Sequence, residues 1–289
     1  MIRTCLGMCM AVVLALAVQA HAVPMTNISV PLKDANSDAV FVLDDSDPSL
    51  EGMTSWVVDG CEHLVRQWFW YRTEEPGPES PISALTLDAY NAQDLNGETG
   101  NEVLYACYSG SDLRVELAFT LSGGMPGTGV ANLSEIIKVT NIGTETLMLD
   151  FFQYADFDLS NGGSDTVEIA GYTATDPGNA AYQYGSAARI VEGVITSSGG
   201  MLQEHQAGLK DGTDTNDILQ VLSDADADDL TGEPGPLTGD AVWGFQWCAT
   251  LDPGDELIIS KAKHVVPEPA TMALMGVGSA VAFLLRRRR

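Results

Sequence analysis

Residues 113–121 read LRVELAFTL, with an apolar side chain at every second position and mostly polar side chains between them. Successive side chains of a β-strand point to opposite faces of a sheet, so this alternation predicts a strand with one buried face. A surface helix would instead repeat its apolar residues every three or four positions. The stretch therefore predicts a sheet that packs one of its faces into a core.

The same alternation recurs on both sides of this strand. Residues 136–159 hold two alternating runs around a turn at 141–144, and WGFQW at 243–247 precedes a Leu-Asp-Pro-Gly-Asp turn at 251–255. Turns rich in Gly, Pro, Asn and Asp separate further short runs, and we find no long stretch with helical periodicity. About a dozen short strands of this kind are typical of an all-β protein, an antiparallel β-sandwich or jelly-roll-like domain.

The first 22 residues have the three parts of a secretory signal peptide. Arg3 supplies the positive charge, residues 10–18 are apolar, and Ala20 and Ala22 frame an A-x-A cleavage site. The sequence therefore predicts export through the inner membrane and cleavage by signal peptidase.

The last residues have the composition of a membrane anchor. Residues 270–285 form an uncharged run of sixteen, closed by Arg286, Arg287, Arg288 and Arg289. As a helix, this run would span ~24 Å, slightly less than the ~30 Å of a bilayer core. Clustered arginines stay on the cytoplasmic side, so they predict a cytoplasmic stop. We expect a C-terminal transmembrane helix that anchors the chain transiently, with the body outside the membrane.

A short acidic-proline motif, Pro267, Glu268 and Pro269, precedes this run. The order of motif, apolar span and arginines resembles the PEP-CTERM sorting signal of Gram-negative bacteria. The resemblance implies an exosortase-type membrane processing enzyme as partner, and a final location at the cell surface or in the extracellular matrix of a polysaccharide-producing bacterium. It implies no enzymatic activity. Segments 136–159 and 239–247 also resemble parts of other secreted β-sandwich proteins with this tail.

These features divide the chain into three parts. We predict a signal peptide at residues 1–22, one acidic β-sandwich domain at 23–264, and a sorting and anchor segment at 265–289. The chain has 14 basic and 40 acidic residues, which gives a net charge of −26. Such a charge repels nucleic acid, so we expect no nucleic-acid partner.

An acidic turn places Asp224, Asp226 and Asp228 at alternate positions. Carboxylates in this pattern are ligands of calcium loops, and calcium is the candidate ion outside the cell. An EF-hand loop, however, has Gly at position six and Glu at position twelve, where this chain has Asp229 and Gly235. A solvated turn is the alternative, and we expect no other cofactor.

Three cysteines remain once the signal peptide has gone. Export permits disulfides, and we predict that Cys61 pairs with Cys107, which leaves Cys248 unpaired. Sequence alone does not fix this connectivity. The cysteine and histidine spacing matches no zinc site.

Two further patterns have alternative explanations. Asp156 and Asp158 at the end of a strand form either an acid–base pair or a turn cap, because residues at i and i+2 point the same way. Tryptophans share strand faces and form either a sugar-binding platform or part of the core; they are Trp68 with Trp70, and Trp243 with Trp247.

The chain lacks the familiar catalytic motifs. It has no G-x-S-x-G, no P-loop and no G-x-G-x-x-G, and its histidines have no ligand spacing. We therefore predict an exported, non-catalytic cell-surface or extracellular-matrix protein that is not an enzyme. The alternatives are a carbohydrate-binding module for exopolysaccharide, stabilised by calcium, and a secreted hydrolase.

Overall fold

The computed structural model describes residues 27–73, 77–159, 163–173, 176–213 and 216–268. The predicted signal peptide and the predicted C-terminal helix lie outside these ranges. Within them, no helix has both the length and the apolar content needed to cross a membrane.

The described residues are nearly all β-structure. In chain order the strands are β1 (Ile28–Asp34), β2 (Ser37–Asp44), β3 (Gly52–Val58), β4 (Cys61–Glu62), β5 (Leu64–Arg72), β6 (Ser80–Pro81), β7 (Thr86–Gln93), β8 (Val103–Ser109), β9 (Leu113–Gly123), β10 (Ala131–Asn141), β11 (Leu147–Phe157), β12 (Asp165–Thr173), β13 (Asp176–Tyr184), β14 (Ala188–Ser198), β15 (Met201–Leu209), β16 (Leu237–Gly239), β17 (Ala241–Leu251) and β18 (Glu256–Pro267). Short 3-10 turns lie at Pro48–Leu50 and Ile82–Ala84, and a one-turn helix, α1, at Ile218–Val221.

Two antiparallel sheets pack face to face. The first, which we call the front sheet, has the order β1-β2-β3-β5-β11-β17-β15, with β4 on β3 and β6 on β5. The second, the back sheet, has the order β16-β12-β13-β14-β18-β10-β9-β8-β7. The prediction of an all-β antiparallel sandwich is confirmed.

The core lies between the sheets and contains the inward residues of the alternating runs. On β9 the five apolar residues of LRVELAFTL are at most 3% exposed. Burying a large apolar side chain stabilises a fold by about 1.5–3 kcal/mol, so this alternation drives the sheet to pack. The four paired tryptophans are also buried, at most 2% exposed, which confirms that they belong to the core.

The predicted turn at 251–255 joins the last two long strands, β17 and β18. The backbone N–H of Asp255 donates to the carbonyl of Asp252 at 2.8 Å, and Gly254 has a φ of 90°. Only glycine adopts such a φ without strain, so the Pro-Gly pair places the turn here.

Candidate functional site

The outer face of the front sheet is covered by the segment 210–236, of which residues 210–213 and 216–236 are described and which connects β15 to β16. The N–H of Leu230 donates to Gln246 Oε1 at 2.9 Å. Ile218 and Leu230 also approach Gly244 so closely that a Cβ there would lie 3.2–3.3 Å from them. Because Gly244 has no side chain, the segment can pack directly onto the sheet.

A pocket of about 500 Å³ lies between this covering segment and β5. Its volume is in the range of small-molecule sites. Residues from four parts of the chain line it: Pro48, Ser49, Arg66, Trp70, Glu79, Pro81, Asp217, Leu219, Gln220, Leu222 and Ser223. We call it the β5–α1 pocket.

Two residues of β5 form its floor. Arg66 and Trp70 are four residues apart and therefore point to the same face of the strand. The Arg66 guanidinium lies 5.5 Å from the centroid of the Trp70 ring. It donates to the carbonyls of Glu51, at 3.1 Å, and Pro48, at 3.2 Å. These bonds fix a positive charge at the pocket floor.

Glu79 supplies a buried carboxyl group. Its Oε1 accepts a hydrogen bond from Arg72 Nη1 at 2.7 Å and one from the N–H of Asp228 at 3.2 Å. Its Oε2 is buried and has no hydrogen-bond partner among the described residues. Burial raises the pKa of Glu79, because an apolar environment disfavours the charged form. One oxygen of this pocket-lining residue is thus held in place, while the other is buried without a hydrogen bond from the described residues.

Asp217 supplies a second carboxyl group from the opposite wall. It caps the N-terminus of α1 and accepts a hydrogen bond from the N–H of Gln220 at 3.4 Å. Its side chain is 8% exposed. The cap explains why a helical turn begins here: the carboxylate satisfies a backbone donor that has no partner within the helix.

Arg72 connects the covering segment to the sheet. Besides Glu79, its guanidinium donates to Asp150 Oδ2, to Asp229 Oδ1 and to the carbonyl of Asp228, at 2.7–2.8 Å. An arginine has five donors in a rigid plane, and this one uses them to hold three chain segments together. The guanidinium therefore fixes the position of Glu79 relative to the pocket.

The predicted calcium turn lies at the edge of the covering segment. Asp224 and Asp226 are exposed, and Asp224 Oδ1 accepts a hydrogen bond from the N–H of Asp226 at 2.8 Å. Asp228 contacts the support of the pocket through its backbone. The described residues contain no group of three or more His, Cys, Asp or Glu that could hold a metal ion. Calcium binding stays a prediction.

Asp156 is buried and is not one of the residues that line the pocket. Its Oδ2 accepts hydrogen bonds from Lys210 Nζ at 3.0 Å and from the Tyr154 hydroxyl at 3.1 Å. Asp158 follows the end of β11, and its N–H donates to the carbonyl of His63 at 3.0 Å. The structure thus places the two residues in different contacts, Asp156 through its carboxylate and Asp158 through its backbone.

The three cysteines of the body are free thiols in this structure. Cys61 is exposed on the short strand β4 of the front sheet, whereas Cys107 is half-buried on β8 of the back sheet. The structure therefore does not contain the predicted Cys61–Cys107 disulfide.

The sorting motif begins at the last residue of strand β18. Pro267 is the last residue of β18, where it pairs with Ala188, and the N–H of Glu268 donates to the carbonyl of Ala187 at 3.3 Å. Pro269 and the four terminal arginines lie outside the described residues, as do Ala20 and Ala22.

A second cluster of polar residues lies sealed between the sheets, and our sequence reasoning missed it. Lys261 and Lys263 of β18 face Glu135 of β10 and Glu192 of β14, and none of the four side chains is exposed. A signal was present in the sequence. Each of these residues interrupts an alternating apolar run, as Lys261 and Lys263 do between Ile259 and Val265. We call these four residues the core charge cluster.

The chain matches the model of the PEP-CTERM protein-sorting motif over residues 265–289. It carries this sorting motif, as its C-terminal residues predicted. The motif implies processing by exosortase and an exported, membrane-anchored precursor that is sorted to the cell surface. No curated protein matches the chain.

Three solved structures illustrate the similarity of the fold. A putative aldose 1-epimerase from Escherichia coli K12 is 11% identical, with a TM-score of 0.45 over 82% of this chain and 98% of that one. A galactose mutarotase-like protein from Lactobacillus casei ATCC 334 is 9% identical, with a TM-score of 0.42 over 83% and 100%. A polysaccharide lyase is 11% identical, with a TM-score of 0.38 over 75% and 30%.

These structural matches overturn our prediction of a non-catalytic surface or matrix protein. The prediction that the chain is not an enzyme is corrected for the same reason: the structures it resembles include enzymes of carbohydrate chemistry by name. That prediction rests on missing motifs, and short motifs do not reveal sites assembled from scattered residues. At these identities no residue role passes to this chain.

Proposed function

We propose that this protein is an exported carbohydrate-active enzyme whose sugar substrate binds in the β5–α1 pocket. One observation carries the proposal: two carboxyl groups and a guanidinium line the same pocket, and one carboxyl oxygen is buried without a partner. Buried polar atoms are nearly always hydrogen-bonded, so an unpartnered oxygen at a pocket is a candidate for contact with substrate.

The two carboxyl groups have different environments, which favours different roles. The raised pKa of Glu79 keeps its carboxyl protonated closer to neutral pH, so that Oε2 can donate a proton to a sugar oxygen. Asp217, at the N-terminus of α1, is the candidate base. In enzymes with two carboxyl groups, the surroundings of each group commonly set its role.

The remaining polar groups suit a ligand rich in hydroxyl groups. Ser49, Gln220 and Ser223 line the pocket and offer both donors and acceptors. Arg66 adds a charged donor that can hydrogen-bond to a hydroxyl or to a sugar carboxylate. Trp70 is only 2% exposed and contributes an apolar floor, not an open stacking platform.

The test measures binding and turnover with neutral and uronic-acid sugars and with exopolysaccharide from the host. Turnover has three readouts: anomer exchange by NMR, new reducing ends, and the absorbance of unsaturated products. We expect one of them to respond to the protein, and Glu79→Gln to lower that rate by roughly 10²–10⁴-fold, the usual contribution of a general acid. If none responds and no sugar perturbs the NMR signal of the Trp70 indole, the proposal is wrong.

Asp217→Asn is the sharper variant, because asparagine caps a helix about as well as aspartate. It removes the charge and keeps the cap, so we expect lost turnover with little change in stability. Glu98→Gln, at an exposed loop position, is the matched control and should keep full activity. Equal activity of Asp217→Asn and the control would exclude Asp217 as the base.

We further propose that signal peptidase and then the exosortase-type enzyme process the chain, that its apolar tail anchors the precursor in the membrane, and that the product reaches the matrix and acts on exopolysaccharide. Glu268→Ala should leave precursor in the membrane fraction, as measured by fractionation and intact mass. Glu256→Ala, at the other end of β18, is the control. Full release of the Glu268→Ala protein would contradict the sorting role of this residue.

A further inference from the structure

Lys261 meets a side-chain amide inside the core charge cluster. Its Nζ donates a hydrogen bond to Gln153 Oε1, on β11 of the front sheet. It also lies 2.9 Å from Glu135 Oε2 and 3.1 Å from Glu192 Oε1. Lysine and glutamine are both buried, so no water competes for the contact. An amine nitrogen in hydrogen-bond contact with an amide oxygen is also close to the carbonyl carbon.

Glu192 contacts both reacting groups. Its Oε1 lies near the Lys261 amine, while its Oε2 accepts a hydrogen bond from Gln153 Nε2 at 2.8 Å. The indole Nε1 of Trp243 donates to the same Oε2 at 2.6 Å and fixes the carboxylate. One carboxylate is therefore placed to take a proton from the amine and to return one to the amide nitrogen.

We propose that Lys261 and Gln153 form an intramolecular isopeptide cross-link in the folded protein. The bond joins β18 to β11 and therefore ties the back sheet covalently to the front sheet. It needs no cofactor and no second enzyme, since Glu192 supplies the proton transfer.

The reaction balances within the cluster. Lys261 passes a proton to Glu192, and its neutral amine attacks Gln153 Cδ, so that the Nζ–Cδ bond forms. The Cδ–Nε2 bond then breaks, Nε2 leaves as ammonia with the proton returned by Glu192, and the second proton lost from Nζ stays on a glutamate of the cluster. Before the reaction two lysines balance two glutamates; afterwards Lys263 balances one ionised glutamate beside a protonated one. The core stays neutral throughout, which a low-dielectric interior requires.

The two lysines differ in a way that supports this assignment. Burial lowers the pKa of Lys261, which eases loss of its proton, whereas Glu135 and Glu192 outweigh burial and raise the pKa of Lys263. Lys263 contacts Glu135 at 2.5 Å and Glu192 at 2.8 Å. Lys263 therefore stays protonated, and its positive charge balances the carboxylate that remains ionised.

The first test uses the full chain, folded and purified without any variant. We expect an intact mass lower than the sequence mass of the same processed form by one ammonia molecule. Trypsin should not cut after Lys261, so peptides 139–189 and 211–263 should appear as one cross-linked species. A folded protein with the full mass and normal cleavage after Lys261 overturns the proposal.

Variants then separate the chemistry from the folding. Glu192→Gln keeps the shape of the side chain and removes the base. We therefore expect this variant to keep the Gln153 amide, to show its full sequence mass and to leave Lys261 open to trypsin. Gln153→Met removes the amide itself, so this variant should show its full sequence mass and should also leave Lys261 open to trypsin. Gln67→Met is the matched control. Gln67 donates a hydrogen bond to Glu135 Oε2 at 2.9 Å, just as Gln153 donates one to Glu192. The side-chain carbonyl oxygen of Gln67, however, accepts no hydrogen bond from a lysine among the described residues. The control should keep the cross-link, and its loss there would also count against the proposal.

Discussion

The β5–α1 pocket and the core charge cluster place similar residues in opposite settings. At the pocket, Glu79 has a hydrogen-bond partner among the described residues for only one of its oxygens, and the residue lines a space that a ligand can enter. In the cluster, both oxygens of Glu192 are bonded and no side chain reaches solvent. A carboxyl group left incompletely bonded at a pocket is available for chemistry on a substrate, whereas a fully bonded one can act only on its own neighbours.

The largest expected effect comes from breaking the cluster. In the Gln153→Met background, which cannot form the cross-link, Glu135→Leu leaves two buried lysines with one carboxylate, and removing one partner of a buried pair costs about 3–5 kcal/mol. Asp38→Ala breaks the exposed pair of Lys33 with Asp38 and should cost at most about 1 kcal/mol. Urea unfolding of both variants measures the difference, and equal losses would mean that burial does not make the cluster costly to break.

A smaller effect is expected where the pocket depends on packing. Leu230→Ala removes a buried side chain that covers Gly244 and should cost about 2–3 kcal/mol, because the covering segment can partly close the cavity. Sugar binding should weaken as well, since α1 belongs to the same segment. Thermal melts measure the loss of stability, and Leu95→Ala, at an exposed position, is the control. Unchanged binding in Leu230→Ala would show that the segment does not form the pocket.

The pH dependence of the free energy of unfolding should distinguish Glu79 of the pocket from Glu192 of the cluster. The folded-state pKa of Glu79 is raised, so the folded protein takes up this proton first as the pH falls, and stability rises through that pKa. Before the cross-link forms, burial alone would raise the pKa of Glu192, but Lys261 and Lys263 lower it to about 2. Its contribution is therefore present above its ordinary pKa of 4.5 and is lost only as the pH falls toward 2.

Glu79→Gln tests this difference by unfolding at pH 7 and pH 5. The wild type should gain stability from Glu79 over this interval, by about 1.4 kcal/mol for each unit of pKa difference that it spans. The variant should lose that gain, and Glu192 should contribute nothing to either slope. Identical slopes in the two proteins would contradict a raised pKa at Glu79.

The smallest expected effect concerns calcium. Asp224 bonds within its own exposed turn, so removing an ion from this turn with a chelator should shift the melting midpoint only slightly. Thermal melts with EDTA and with added calcium measure it. A midpoint that rises with calcium and falls back in Asp226→Asn would instead establish the predicted ion site.

Several features of the fold could be predicted because they depend on local pattern. The alternation of β9 and the turn at 251–255 predicted strands and their connection, since side-chain direction along a strand has a fixed period of two. The sorting motif, too, is read from contiguous residues. The strand pattern, the turn and the sorting motif can each be recognised from residues that are close together in the chain.

The two sites could not be predicted in this way, because their residues come from distant positions. Arg66, Glu79 and Asp217 meet only when the covering segment folds onto the front sheet. Nothing in the local sequence around Glu79, an acidic, proline-rich loop, marks it as a buried carboxyl.

The sequence by itself therefore determined that the chain is exported, carries a sorting motif and forms antiparallel strands, since each of these depends on residue order over short distances. Tertiary structure alone decided which strands share a sheet, which face the segment 210–236 covers, and which charges meet. Lys261 and Gln153 are 108 positions apart and belong to opposite sheets. Their contact exists only because the two sheets pack face to face, with polar residues paired in a core that excludes water.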